Sequence, residues 1–274
     1  MCKVCGCGQD DEPTQGHAHD HGATHAHDHD HDHHHHHDHH DFSGGEVGVV
    51  VGGVDGRKLL TLEKDILAKN NRFAAANRAW LSSRRIFSLN LISSPGSGKT
   101  TLLAETLRRL AARRPVAAVI GDQKTSRDAD RVRQSGVKAI QINTGKGCHL
   151  DAHMVGHTLE DAGLSAGGVL FIENVGNLVC PAGFDLGESK RVVLLSVTEG
   201  EDKPLKYPDA FRTSDLLLLT KVDLLPHLDF NADECVTFAQ QVNPRIEVLE
   251  VSAKDGQGLG EWLAWIDRHA FPVP

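Results

Sequence analysis

Residues 86–103 read IFSLNLISSPGSGKTTLL, an apolar run, then a loop of Pro, Gly and Ser, then the start of a helix-forming segment. Strand, tight loop and helix in that order commit a chain to an α/β architecture, because the helix must fold back over the strand it follows. Gly96 and Gly98 let the backbone curl so that its N–H groups converge, and the next helix aims its N-terminus at the same point. The run Gly96, Ser97, Gly98, Lys99, Thr100 and Thr101 therefore forms a cradle for a phosphate chain. Lys99 reaches β- and γ-phosphate oxygens, and the Thr100 hydroxyl is placed for Mg²⁺. The strict pattern GxxxxGK[ST] has Gly where this chain has Ser93, but the order of elements is kept.

Further apolar runs recur at 116–120, 138–142, 168–173, 191–197, 215–220 and 246–251, separated by helix-like stretches such as 150–163, 231–242 and 259–270. Their apolarity is continuous rather than alternating, as expected of strands covered on both faces. A mostly parallel sheet with helices on both sides is predicted. Ligands in such sheets sit at the carboxyl ends of the strands. Two predicted strands end there in acids: Asp122, and Glu173 with Gly176 three residues on, similar to the DxxG switch of GTPases. With Thr100, Asp122 is the expected Mg²⁺ partner. Lys99, Asp122 and Glu173 form the expected catalytic group, since phosphoryl transfer needs positioning and charge stabilisation rather than covalent chemistry.

Base choice is expected near the C-terminus. LLLLTKVDLL offers Thr220, Lys221 and Asp223, similar to the guanine motif NKxD with Thr for Asn. EVSAKDG offers Ser252, Ala253 and Lys254, similar to the loop that backs the base. An Asp carboxylate accepts from the guanine N1–H and 2-amino groups. Adenine lacks both donors and leaves the carboxylate unpaired, at a cost of about 1–3 kcal/mol.

The N-terminal end is of a different kind. Cys2, Cys5 and Cys7 make CxxCxC, and His17 to His40 hold 14 of the 19 histidines, interleaved with Asp, Ala and Gly. Three thiolates and the α-amino group could converge on one ion, flat for Ni²⁺ or tetrahedral for Zn²⁺. The His tract has many equivalent ligand sets, which suits loose storage rather than one geometry. Its longest His run is five and Asp is interspersed, which argues against a purification tag. Residues 1–45 hold almost nothing that could build a core, so a disordered metal-binding tail is expected, followed by a GTPase domain over 46–274 with a helical extension at 57–83. Nine acids against Lys3 alone in residues 1–41 account for the net charge of −8, and the rest is balanced. A balanced body makes no electrostatic case for nucleic acid or an anionic membrane. With no spanning run and no signal pattern, a cytoplasmic location is expected. Within the domain, Cys148, His149 and Cys180 are candidate metal ligands, alone or across a symmetric dimer. His153 and His157 are expected on the surface and Cys235 in the core.

Taken together, MCKVCGCG, the His tract, LISSPGSGKTTLL, GDQKTSRDADR, NTGKGCHLDAHMV, ENVGNLVCP, SVTEGEDKPLKYP, TKVDLLP and VSAKDGQGL resemble the HypB family of nickel-insertion GTPases of [NiFe]-hydrogenase maturation. The resemblance implies a P-loop NTPase of the G-domain-like SIMIBI class, a GTP-dependent homodimer, slow GTP hydrolysis and nickel at the N-terminal cysteines. It also implies nickel or zinc at Cys148, His149 and Cys180, a HypA-type metallochaperone as partner, and the hydrogenase large-subunit precursor as recipient. Two other readings stay open on the residues: a nickel storage or detoxification protein with a regulatory GTP site, and a urease-type accessory GTPase.

Overall fold

The computed structural model describes residues 39–41, 56–122, 127–145 and 147–274. Eight parallel strands form one sheet: β1 (His39–Asp41), β2 (Phe87–Ser93), β3 (Val116–Asp122), β4 (Lys138–Asn143), β5 (Val169–Glu173), β6 (Lys190–Ser196), β7 (Leu216–Thr220) and β8 (Glu247–Val251). Their spatial order is β1-β4-β3-β5-β2-β6-β7-β8. The strand leading into the glycine loop is thus central, flanked by β5 and β6 and buried along its whole length.

The helices are α1 (Gly56–Ser83), α2 (Lys99–Leu110), α3 (Arg127–Arg133), α4 (Ala152–Gly156), α5 (Lys203–Lys206), α6 (Pro208–Arg212), α7 (Ala232–Val242) and α8 (Leu259–His269). On one sheet face Phe87, Leu89 and Leu91 of β2 pack with Leu103 and Leu107 of α2, Val132 of α3 and Trp262 and Trp265 of α8. The buried Trp262 indole donates to Thr106 Oγ1 at 2.9 Å, which ties α8 to α2. The opposite face is covered at one end by Leu81 of α1 with Met154 and Val155 of α4. At the other end it is covered by Phe211 of α6 and Cys235 and Ala239 of α7. Cys235 is a core residue, as expected, with its thiol pushed up to about 12 by burial.

The predicted strands are all present. One other expectation needs correcting. The segment 150–163 is helical only over Ala152–Gly156, because Thr158 turns its hydroxyl back onto the Val155 carbonyl and competes with helix continuation. Besides the predicted strands, the short β1 adds to the sheet edge beside β4. Cys2, Cys5, Cys7 and the His tract up to Asp38 lie outside the described residues. Among the described residues, no helix is long and apolar enough to cross a membrane.

Candidate functional site

The loop between β2 and α2 has Gly96 at φ 78° and Gly98 at φ 89°, conformations that disfavour a Cβ and that let the loop close over its own concavity. Lys99 opens α2 and turns inward, with 8% exposure, its Nζ 3.3 Å from Ser93 Oγ and 3.7 Å from Glu173 Oε1. Ser93, where the strict pattern has Gly, is therefore a partner of the lysine. The Thr100 hydroxyl donates to Glu173 Oε1 at 2.6 Å. Glu173 ends β5 beside β3, whose own end is Asp122. Burial raises the Glu173 pKa, while Lys99 and the Thr100 hydrogen bond oppose the shift. Glu173 Oε2 and Ser97 Oγ are buried without a hydrogen-bond partner, two polar atoms that an incoming ligand or cation could satisfy.

The segment after Glu173 is pressed against the loop. A Cβ on Gly176 would lie 3.1 Å from Pro95 Cα, so glycine permits the approach, and Asn177 bridges to Ser93. A cavity of about 470 Å³ lies between them, lined by the glycine loop, Thr101, Gly176 and also Asp128 and Arg131 of α3. Sequence reasoning missed those last two. Arg131 donates to Thr101 Oγ1 at 3.3 Å, a contact the short segment 123–131 gives no periodic signal for.

A second cavity, of about 220 Å³, opens on the other side of Lys221 and holds Ser97, Thr220, Asp223, Ala253 and Lys254 together. Thr220 Oγ1 donates to the Ser97 carbonyl at 2.7 Å, and Lys221 Nζ to the Gly96 carbonyl at 2.7 Å. Lys221 adopts φ 61° without being glycine, local strain held by that contact across the loop. Ser252 Oγ donates to Asp223 Oδ1 at 2.8 Å, and Lys254 Nζ is 3.5 Å from Oδ2, so both carboxylate oxygens are held in place. All three C-terminal motif residues and the TKxD residues thus meet at one end of the glycine loop.

Cys148, His149 and Cys180 also converge, their ligand atoms within 4.8 Å of one another. Cys148 Sγ lies 3.5 Å from His149 Nδ1. The imidazole packs on Phe184, ring centroids 4.0 Å apart, and burial lowers its pKa despite Asp151, leaving it neutral and suited to a metal. Burial and the hydrogen bond with Cys180 push the Cys148 thiol up to about 11. His153 of α4 and His157 just after it have Nε2 atoms 3.0 Å apart, His153 tilted against the Phe73 ring and His157 exposed.

A sequence profile of the CobW/HypB/UreG, nucleotide-binding domain matches residues 88–250, the span holding both the glycine loop and the three clustered ligands. The hydrogenase maturation factor HypB of Azotobacter vinelandii is 56% identical over 98% of this chain and 92% of its own length. This chain belongs to the HypB family. Solved HypB structures agree. That from Archaeoglobus fulgidus superposes with a TM-score of 0.68 at 41% identity, covering 73% of this chain and 97% of the other. HypB from Helicobacter pylori in complex with nickel gives a TM-score of 0.68 at 38% identity, covering 75% and 99%. The P-loop sheet of this chain is therefore that of a HypB nucleotide-binding domain.

Proposed function

We propose that this HypB-family chain binds and slowly hydrolyses GTP, and that hydrolysis governs the transfer of nickel from the Cys148, His149 and Cys180 cluster to the precursor of a [NiFe]-hydrogenase large subunit. The observation that carries the reading is chain connectivity: Glu173, which accepts the Thr100 hydrogen bond, and Cys180, a member of the sulfur–nitrogen cluster, are separated by six residues of one loop. A change at one end of so short a connection displaces the other.

Lys99 neutralises charge developing on the transferred phosphoryl group, and Glu173 orients the attacking water. Mg²⁺, held by Thr100 with Asp122 nearby, would supply further charge neutralisation. The two orphaned buried oxygens are consistent with such a site. Asp223 selects guanine, with Ser252, Ala253 and Lys254 behind it. Asp223→Asn should weaken GTP binding about 10- to 100-fold, the range of leaving two guanine donors mismatched, and should improve binding of xanthosine triphosphate, as titration calorimetry with both nucleotides would read. Equal GTP affinity in the variant would remove Asp223 from base recognition.

The domain spans residues 46–274, and the tail 1–45 stores nickel on His17 to His40 and holds a more defined site at Cys2, Cys5 and Cys7. The cluster accepts Ni²⁺ or Zn²⁺. The chain works in the cytoplasm as a GTP-dependent homodimer supplied by a HypA-type metallochaperone. Deleting residues 17–40 should remove most of the nickel bound per chain in equilibrium dialysis yet preserve hydrogenase activity when nickel is plentiful. Loss of activity under those conditions would show that the tract does more than store. The reading as a whole is tested by mixing nickel-loaded chain with a large-subunit precursor. Nickel should move with GTP and stay with a non-hydrolysable analogue, and transfer indifferent to hydrolysis would overturn it.

A further inference from the structure

Directly after Glu173, at the end of β5, comes Asn174, 1% exposed, whose side chain the nucleotide chemistry does not use. Asn174 Oδ1 accepts two backbone amides at once, its neighbour Val175 at 3.0 Å and Leu150 at 3.0 Å across the fold. Leu150 directly follows Cys148 and His149. The Asn174 amide nitrogen in turn donates to Asn90 Oδ1 at 3.4 Å, and Asn90 donates to Glu188 Oε1 at 3.1 Å.

Glu188 is locked in a buried ion pair with Arg191 at 2.7 Å. Arg191 reaches the loop after Cys180, donating to the Ala182 carbonyl at 2.8 Å and the Phe184 carbonyl at 2.8 Å. The Phe184 ring is the one packed on His149. The polar chain that leaves Asn174 therefore comes back to the same imidazole from its other side. The far half of this circuit rests on a buried ion pair and central strand β2, so it is a fixed frame. Asn174 is the one member attached to the residue that grips Thr100.

We infer that Asn174 is a positioning residue that transmits the state of the nucleotide site to Cys148 and His149 by holding the Leu150 amide. The inference rests on the nickel-transfer reading above. When Glu173 exchanges its Thr100 contact for a ligand in the glycine loop, the backbone at 173–174 shifts, and the Leu150 amide follows the oxygen that holds it. Among the described residues the Leu150 amide has that oxygen as its acceptor, and leaving a buried amide unpaired is costly, which makes the link stiff.

Nickel affinity is measured by competition with a chromogenic chelator on the full chain bound to GDP and to a non-hydrolysable GTP analogue. The wild-type chain should show affinities differing by at least about fivefold between the two nucleotides, whereas in Asn174→Ala the ratio should collapse to within about twofold of one. Nucleotide affinity in that variant should stay near the wild-type value. Asn174→Asp, whose carboxylate still accepts from Leu150, should restore most of the difference, which a merely structural role would not predict. A wild-type difference that survives in Asn174→Ala overturns the inference alone. A wild-type chain with no difference overturns the nickel-transfer reading together with it. If Asn174→Ala does not fold, hydrogen exchange on the wild-type chain decides: the Leu150 amide should change protection between the two nucleotides, and equal protection overturns the inference.

Discussion

Replacing Lys99 with alanine should lower single-turnover GTP hydrolysis by at least about 10²-fold, the scale on which removing one preorganised charge-stabilising group acts. Lys99 is buried, within 4 Å of Glu173, and leads the helix whose N-terminus faces the loop. Its removal does two things. It takes away the only cation of the glycine loop itself, and it leaves the buried Glu173 carboxylate with Thr100 as its remaining partner, moving Glu173 further towards its neutral form. Both reduce stabilisation of the transition state. Thermal unfolding in parallel separates this from a folding defect, because loss of a partner from a buried pair also costs stability. Hydrolysis close to the wild-type rate would remove Lys99 from the catalytic group. Hydrolysis lost with hydrogenase maturation intact at limiting nickel would instead disconnect hydrolysis from transfer.

The second large effect is expected at the sulfur–nitrogen cluster. Cys180→Ala should weaken nickel binding to the domain by more than the 10- to 100-fold typical of losing a residue behind the ligands, since a donor itself is lost. GTP hydrolysis without nickel should be little changed, because Cys180 makes no contact with the glycine loop among the interactions described. The pH dependence follows from the thiols. A metal binds thiolate, and the Cys148 thiol, pushed up to about 11, is protonated at neutral pH, so binding expels a proton. Affinity should therefore rise with pH from 6 to 8, about tenfold per unit for each proton released. Burial holds His149 below the ordinary imidazole value, so its share of the proton release is smaller than that of the thiols. Cys148→Ser should flatten the slope. An affinity independent of pH in the wild-type chain would show that the thiols are not the donors.

Much of this was legible in the residues. The seven long strands follow from continuous apolar runs, because strands buried on both faces leave no room for polar alternation. The exceptions within β2, Ser88 and Asn90, were invisible as a signal: two small polar residues in a strand of that kind look incidental until their side of the sheet is known. The glycine loop was legible because its chemistry is local, six adjacent residues and the helix they open. Segment 150–163 misled because its helical spacing is real, yet Thr158 ends it through a contact that spacing cannot express. Asp128 and Arg131 were missed for a related reason: they lie in the stretch GDQKTSRDADR, but a likeness of sequence does not say that a seven-residue helix turns these two side chains to the loop cavity.

The sequence by itself determined the class of sheet, the phosphate loop, the guanine-type motifs and the family. Each of these is carried by residues close together in the chain or by a repeated apolar pattern. Only the tertiary structure decided which acid meets Thr100, how Cys148, His149 and Cys180 come within 4.8 Å, and that Asn174 joins the two regions. Apart from the adjacent Cys148 and His149, those are contacts between residues 24 to 73 positions apart. The parallel order of the strands creates them, and burial gives each hydrogen bond its weight, since a polar group away from water has no other partner to turn to.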